Sequence, residues 1–308
     1  MDPPGARCYQ RRRRGGSALG TIVVIGSTGQ LGSDCLEAFA ADGVVGLSHD
    51  DLELGDAEQV RAVLARLRPA VVVNTAAFHD VPRCEREPER AFALNAVAPW
   101  RLAQACSAVG ARLVHVSTDY VFDGTKGAPY VETDRPAPLN LYANSKLAGE
   151  HAVLAVGGAH QVVRSSGLYG VRPCRAKGGN FLDTIGRVAA ERDEVTVVDD
   201  EVLTPTFTAD LAAQLRVLAR DGAPGLYHAT DHGSCSWFEF TREFFALAGI
   251  RTPLRAISVR DLTPPPAVRR PHYSVLANAA LAAAGLDRMR PWRDALADCV
   301  RRRARAHG

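Results

Sequence analysis

"TIVVIGSTGQLG", residues 21–32, holds the reading that decides the fold. Thr21–Ile25 is a short β-branched run of the kind that forms a buried strand. It leads directly into Gly26-Ser27-Thr28-Gly29-Gln30-Leu31-Gly32, a G-x-x-G-x-x-G pattern. Gly26 permits a tight turn, Gly29 lets a pyrophosphate approach the backbone, and Gly32 lets helix and strand pack closely. Thr28, Gln30 and Leu31 fill the turn between them. From Gln30 the apolar spacing becomes helical (Leu31, Cys35, Leu36, Phe39), so free N–H groups at a helix start face the turn. Three glycines in seven residues also make a plain turn. The strand before and the helix after are what favour a dinucleotide cradle.

Outward from this turn, strand and helix alternate. Val44–Leu47 reads as a second strand, Ala57–Leu67 as a helix, and Ala70–Val73 as a third strand. Pro88–Val109 reads as one long helix, Leu113–Val116 as a fourth strand, Tyr142–Ala155 as a helix, and Gln161–Val163 as the start of a fifth strand. Parallel neighbours need crossover connections, so the rhythm predicts an α/β fold: a Rossmann-like, doubly wound parallel sheet. After about Gly170 the rhythm changes. A glycine-rich loop (Lys177–Asn180), helices near Phe181–Ala190, Ala209–Ala219, Trp237–Ala248 and Trp292–Arg303, and proline-bearing loops predict a smaller C-terminal lobe. The expected division is a basic, disordered tail over 1–19, a dinucleotide-binding domain over 20–170, and a substrate-binding lobe over 171–308 with some interleaving of segments.

Composition narrows the class. The 308 residues are 46% hydrophobic and 23% charged, ordinary for a globular chain. No apolar run approaches the ~18–20 residues that span a bilayer, and Thr21–Ile25 is too short for a signal-peptide core. No membrane and a cytoplasmic setting are expected. Seven scattered cysteines, with no Cys-x-x-Cys pair, argue against a disulfide framework and a zinc site. No metal site is expected. Of 37 Lys+Arg, nine lie in the two ends, and of 34 Asp+Glu one does, which leaves 28 against 33 in the body. A mildly acidic body with basic tails excludes nucleic acid as the expected partner.

Two further stretches carry chemistry. After the second strand the chain reads Leu47-Ser48-His49-Asp50-Asp51-Leu52-Glu53-Leu54, where the adenosine ribose of a bound dinucleotide is discriminated. His49, Glu53 and Leu54 are candidates there. Acids without an arginine tilt the choice towards NADH over NADPH, although the same residues also read as solvated loop charges. Far downstream, "LNLYANSKLAGE" (139–150) sets Tyr142 four residues before Lys146, in a chain with three lysines. Residues i and i+4 share a helix face. A phenol titrates near ~10, and a neighbouring ammonium draws it towards the working range. Such a phenol can protonate a carbonyl oxygen while hydride attacks the carbon, and the lysine can bond the nicotinamide ribose. Taken alone the pair is also a plausible surface accident. Thr118 stands where the fourth strand ends, the edge at which open parallel sheets place ligands. Its alternative role is strand-end capping.

Taken together, "GSTGQLG" (26–32), "NTAAFHDV" (74–81), "AFALNAVAP" (91–99), "STDYVFDG" (117–124), "PYVETDRPAPLNLYANSKLAGE" (129–150), "RSSGLYG" (164–170), "GGNFLDTI" (178–185), "DDEVLTPTF" (199–207), "GLYHAT" (225–230) and "RRPHYSVL" (269–276) resemble the extended short-chain dehydrogenase/reductases, and within them the dTDP-4-dehydrorhamnose reductase family. The resemblance covers about residues 20–300. It implies reduction, by NADPH or NADH, of the C4 ketone of a dTDP-linked 4-keto-6-deoxy sugar. It further implies Thr118, Tyr142 and Lys146 as the catalytic set. Ala76, Ala77 and Phe78 would line the cofactor, Asp119, Tyr120 and Val121 would sit under the sugar, and Asn180, Phe181 and Arg270 would serve the nucleotide half. It leaves room for a homodimer. Three positions depart from the family pattern. Gly167 replaces an aromatic that walls the sugar pocket, His49 replaces a basic residue, and Pro82 replaces an aspartate. These fit a homologue acting on another 6-deoxy-4-ketohexose or another nucleotide carrier.

Two other functions suit the same fold. A nucleotide-sugar epimerase or dehydratase needs a further acid or base beside the sugar, and Asp123, Glu132 and Asp134 are loop acids without an assigned role. A non-catalytic dinucleotide-binding regulatory subunit is the other; an intact Thr118/Tyr142/Lys146 set argues against it.

Overall fold

A computed structural model describes residues 19–172 and 178–307. The expected tail up to residue 18, Cys8, Cys174 and Lys177 lie outside the described residues.

The first strand, β1 (Ile22–Ile25), is wholly buried, and its residues alternate between two cores. Ile22 and Val24 face one side of the sheet, Val23 and Ile25 the other, as the period of two requires. The chain continues through α1 (Gln30–Ala38), β2 (Val44–Leu47), α2 (Ala57–Leu67), β3 (Val71–Asn74), α3 (Val81–Arg86), α4 (Pro88–Phe92), α5 (Ala98–Ala108) and β4 (Arg112–Thr118). There follow α6 (Leu141–Ala155), β5 (Gln161–Ser165), β6 (Leu168–Tyr169), α7 (Phe181–Glu191), β7 (Val195–Val198), β8 (Val202–Leu203) and β9 (Thr206–Phe207). The last part holds α8 (Thr208–Asp221), β10 (Gly225–His228), β11 (Cys235–Ser236), α9 (Trp237–Ala248), β12 (Leu254–Ile257), α10 (Ala279–Ala283) and α11 (Trp292–His307).

Six parallel strands pair in the order β10-β5-β4-β3-β1-β2. One core lies between the sheet and α1 and α8, with Phe39, Leu211 and Leu215 fully buried. The other lies under α2 and α5, around Leu64, Leu102 and Cys106. A third core, built on Tyr169, Phe207, Phe240 and Trp292, belongs to the C-terminal elements. The chain after residue 171 therefore serves both bodies: α8 and β10 complete the sheet layer, while α7, α9 and α11 build the smaller lobe.

One expected element differs. The single helix over Pro88–Val109 is interrupted by a π-type turn at Ala93–Val97 between α4 and α5. Asn95 lies within it and turns its side chain inward, accepting from the Phe78 N–H and donating to the Phe78 carbonyl and to Ser145. Widened turns of this kind gather at functional sites.

Candidate functional site

The carboxyl ends of β1, β3 and β4 lie side by side along one edge of the sheet. From β1 the chain crosses to β2 on one side and then to β3 on the other, so the order reverses beside β1. Such a switch point opens a crevice outside the strand ends.

The glycine turn forms one wall of that crevice. Gly26 has φ +79°, a left-handed conformation, and a Cβ there would meet Thr75 Oγ1 at 2.8 Å. A Cβ on Gly32 would lie 2.1 Å from the Gly26 carbonyl oxygen. These contacts leave no room for side chains inside the turn. The start of α1 has no side-chain cap and no acidic residue in its first turn, so its N–H groups and dipole face the crevice uncompensated. Buried Gln30 Nε2 has no partner among the described residues. Thr28 is exposed, while Leu31 packs into the core. This donor set fits a dinucleotide pyrophosphate.

Across the crevice, Ala76 and Ala77 are half-buried after β3, and the Ala76 N–H donates to Asn74 Oδ1 at 3.1 Å. Phe78 packs in a small cluster with Cys84, Ala91 and Tyr142. After β2, exposed His49 Nδ1 meets Glu53 Oε2 at 3.4 Å. Leu54 is buried in the core beside Val60 rather than standing at the surface. Ser48 and Asp51 close this loop through a 2.7 Å hydrogen bond.

Thr118 ends β4 and Tyr142 opens α6, whose N-cap is Asn140. The Thr118 hydroxyl lies near enough to the Tyr142 phenol to draw its pKa down. Thr118 also donates to Asp119 Oδ1 at 3.1 Å and accepts from the Tyr120 N–H at 3.2 Å. The Tyr120 ring meets Tyr142 edge-on, with centroids 6.2 Å apart. Burial pushes the Tyr142 phenol up; Thr118 opposes this, and Asp119, Tyr120 and Cys84 add to it. The expected electrostatic help from Lys146 is absent from that set. Lys146 is buried, its Nζ donates to the Val116 carbonyl at 2.7 Å, and it stands 3.3 Å from His115 Nε2. Sharing a helix face does bring Tyr142 and Lys146 to one side of α6. The lysine's Nζ then meets two residues of β4, Val116 and His115.

The residues expected under the sugar divide by burial. Tyr120 is half-buried, and burial raises its phenol against the pull of nearby Arg270. Asp119 is buried, with its carboxyl raised by burial, and takes hydrogen bonds from Thr118 and Ser166 (2.7 Å). It orients neighbours. Val121 is fully buried with Phe122, Tyr130 and Leu276, so it supports the loop from behind. Arg270 is exposed on the segment that Asn140 Nδ2 ties down at the Arg269 carbonyl, 3.0 Å away. Asn180 is occupied as the N-cap of α7, accepting from the Asp183 N–H and donating to the Gly170 carbonyl. Phe181 packs against Trp237 with centroids 4.4 Å apart. At Gly167 the backbone is left-handed (φ +54°), and Leu203 Cδ1 would lie 2.5 Å from an added Cβ. Leu203 and Pro205 thus fill the space next to the missing aromatic. Pro82 lies in the first turn of α3, where its lost N–H costs nothing.

Sequence reasoning missed Asn74, Asn95, His115 and Glu201. Glu201 is half-buried, its carboxyl raised by burial and lowered by Arg270 and His272. A polar residue inside an otherwise apolar strand or helix was the available signal for the first three. The loop acids that an epimerase or dehydratase could recruit are engaged elsewhere. Asp123 binds Thr125 and Tyr130, Glu132 takes the His228 and Ala280 N–H groups, and Asp134 pairs with Lys126. Among the described residues no group of three His, Cys, Asp or Glu is placed to hold a metal, and no helix is long and apolar enough to cross a membrane.

Comparisons with known proteins agree with this geometry. The family model described as the RmlD substrate binding domain matches residues 20–305. A curated dTDP-4-dehydrorhamnose reductase of Streptomyces griseus is 41% identical, covering 90% of this chain and 91% of that protein. A dTDP-4-keto-6-deoxy-D-glucose reductase of Streptomyces niveus is 38% identical, over 89% and 94%. Among solved structures, the dTDP-4-dehydrorhamnose reductase of Bacillus anthracis in complex with NADP superposes with TM-score 0.87 at 33% identity, over 92% of this chain and 99% of that one.

Proposed function

The chain belongs to the dTDP-4-dehydrorhamnose reductase family, and from that premise we propose that Tyr142, Thr118 and Lys146 are the groups that perform its reaction. It is an NAD(P)H-dependent oxidoreductase that reduces the C4 ketone of a nucleotide-linked 6-deoxy-hexose. The observation that carries the assignment of residues is the convergence of Thr118, at the end of β4, with Tyr142 on α6, whose ring meets that of neighbouring Tyr120 with centroids 6.2 Å apart. It lies on the sheet edge that also bears the glycine turn.

The reduced nicotinamide supplies the hydride. The Gly26–Gly32 turn and the start of α1 would hold the pyrophosphate, and Ala76 and Ala77 would line the cofactor. Lys146 would bond the nicotinamide ribose. Thr118 holds the ketone oxygen, and Tyr142 gives that oxygen its phenolic proton as the carbon is reduced. Tyr120 and Arg270 flank the sugar and its phosphates, and Phe181 with Trp237 stands at the nucleotide end. A half-buried phenol with a raised pKa stays protonated at neutral pH, which suits a proton donor.

The sugar we assign is dTDP-4-dehydro-L-rhamnose, giving dTDP-L-rhamnose. The test is a panel of dTDP-, UDP- and GDP-linked 4-keto-6-deoxy sugars against NADH and NADPH, followed at the nicotinamide absorbance. Consumption of reduced cofactor with the dTDP-linked sugars is expected. Failure of every sugar to oxidise either cofactor would overturn the assignment.

A further inference from the structure

Beneath the site, two buried polar groups that the reaction as written does not use lead to Lys146, which it does. Asn74 ends β3, His115 lies in the middle of β4, and Lys146 reaches them from α6. Asn74 and His115 are fully buried and Lys146 is 2% exposed. Three contacts join them to the crevice. The Ala76 N–H donates to Asn74 Oδ1 at 3.1 Å, Asn74 Nδ2 meets His115 Nδ1 at 3.1 Å, and His115 Nε2 stands 3.3 Å from Lys146 Nζ.

The direction of these bonds is determined. With Oδ1 committed to the Ala76 N–H, Asn74 presents its amide donors to the imidazole, so Nδ1 accepts. A neutral imidazole then carries its proton on Nε2, pointing at the lysine. Burial, and then the positive charge that Lys146 carries when protonated, hold the His115 ring well below its ordinary value, so the neutral ring is the state to consider. An N–H aimed at Nζ bonds the lone pair of a free amine and opposes an ammonium. Nζ in turn donates to the Val116 carbonyl at 2.7 Å, which leaves its remaining donor for the crevice.

We propose that His115, its tautomer set by Asn74, is a positioning residue for Lys146, aiming the amine into the crevice and favouring its release of a proton there. The proposal rests on the assignment of Lys146 to the site. It adds a coupling: the backbone of Ala76 on the cofactor wall, through Asn74 and His115, biases the protonation of Lys146. Burial acts in the same direction, bringing the lysine to about 8. Of the surrounding titratable groups, Glu150 on α6 opposes the shift. Glu150 is itself neutralised by Arg164 on β5.

The chain's three lysines make the test direct. In lysine labelled with carbon-13 at Cε, the Lys146 resonance is followed against pH without substrate, in the wild type and in Asn74→Asp and His115→Phe. In Asn74→Asp a carboxylate replaces the amide donor, draws the imidazole proton to Nδ1 and turns Nε2 into an acceptor for the ammonium. The expected result is a wild-type midpoint near 8 that rises by about one unit or more in Asn74→Asp. The basic limb of the kcat profile should move with it, at little change in KM for the sugar. Nitrogen-15 spectra of wild-type His115 should show a proton on Nε2 and none on Nδ1. A wild-type lysine titrating at its ordinary value, a proton on Nδ1, or a midpoint that moves in neither variant overturns the proposal. Because these spectra need no turnover, they decide it even if every sugar in the panel fails.

Discussion

Glu150 and Arg164 form a wholly buried ion pair behind the proposed catalytic helix. Arg164 Nη2 lies 2.6 Å from Glu150 Oε2, and its Nε lies 3.0 Å from both carboxylate oxygens. Ser117 donates to Glu150 Oε1 at 2.5 Å, and the guanidinium lies 5.1 Å from the centroid of the Phe122 ring. The pair ties α6 to β5 and to the strand that ends in Thr118.

Breaking that pair strands a charge in the core. Glu150→Ala should cost about 3–5 kcal/mol of stability, because the guanidinium keeps its desolvation penalty without its partner. Urea unfolding measures this. A loss under 1 kcal/mol would show that the pair adds little to fastening α6.

Tyr142→Phe removes one oxygen and keeps the ring that packs on Phe78. Its kcat should fall about 10²- to 10⁴-fold, the scale for losing a proton donor. Circular dichroism and the melting temperature should stay near wild type. Activity within a few-fold of the wild type would exclude the phenol as the donor.

Gly32→Ala puts a methyl 2.1 Å from the Gly26 carbonyl, where backbone rather than a flexible side chain must yield. It should destabilise by about 1–3 kcal/mol and weaken binding of NADPH and NADH together. Gly186→Ala is the control. An added Cβ there, inside α7, meets nothing within 4 Å. That change should stabilise by about 0.4–1 kcal/mol, read from the two melting curves.

Asp231 gives a pH dependence. Burial raises its carboxyl to about 8, opposed by the Phe207 N–H and increased by Asp210. A raised acid holds a proton in the native state that the unfolded chain has already released. Its contribution to stability is therefore complete below about pH 4, and is lost progressively as pH rises towards 8. Asp231→Asn keeps an acceptor for the Phe207 N–H, 2.9 Å away in the wild type. Melting temperatures of the variant should change less between pH 5 and 8 than those of the wild type, with the variant more stable at pH 8. Parallel curves would remove Asp231 from the account.

Some elements were legible because their signals are local. Ala57–Leu67 and Trp237–Ala248 were read with the bounds the structure has, since helical spacing lies within a few residues; the structure adds an Asp56 cap and a Ser236–Glu239 capping box at their starts. Others were not. Gly225–His228 lacks a β-branched run and becomes the sixth strand only by pairing with β5. Asn95 looks like one polar residue in a long helix until Phe78 and Ser145 arrive to bond it. Asn180, a candidate for the nucleotide half, stands as the N-cap of α7.

The order of residues by itself determined the parallel sheet, the glycine turn and the place of a tyrosine and a lysine on one helix face. Those features depend on spacing along the chain, which the pleat of a strand and the pitch of a helix convert into position. Tertiary structure alone decided where the lysine points. That direction depends on an imidazole 31 residues away and an amide 41 residues beyond it. In a buried, low-dielectric interior each polar group must find such a partner, and no local pattern says which one it will be.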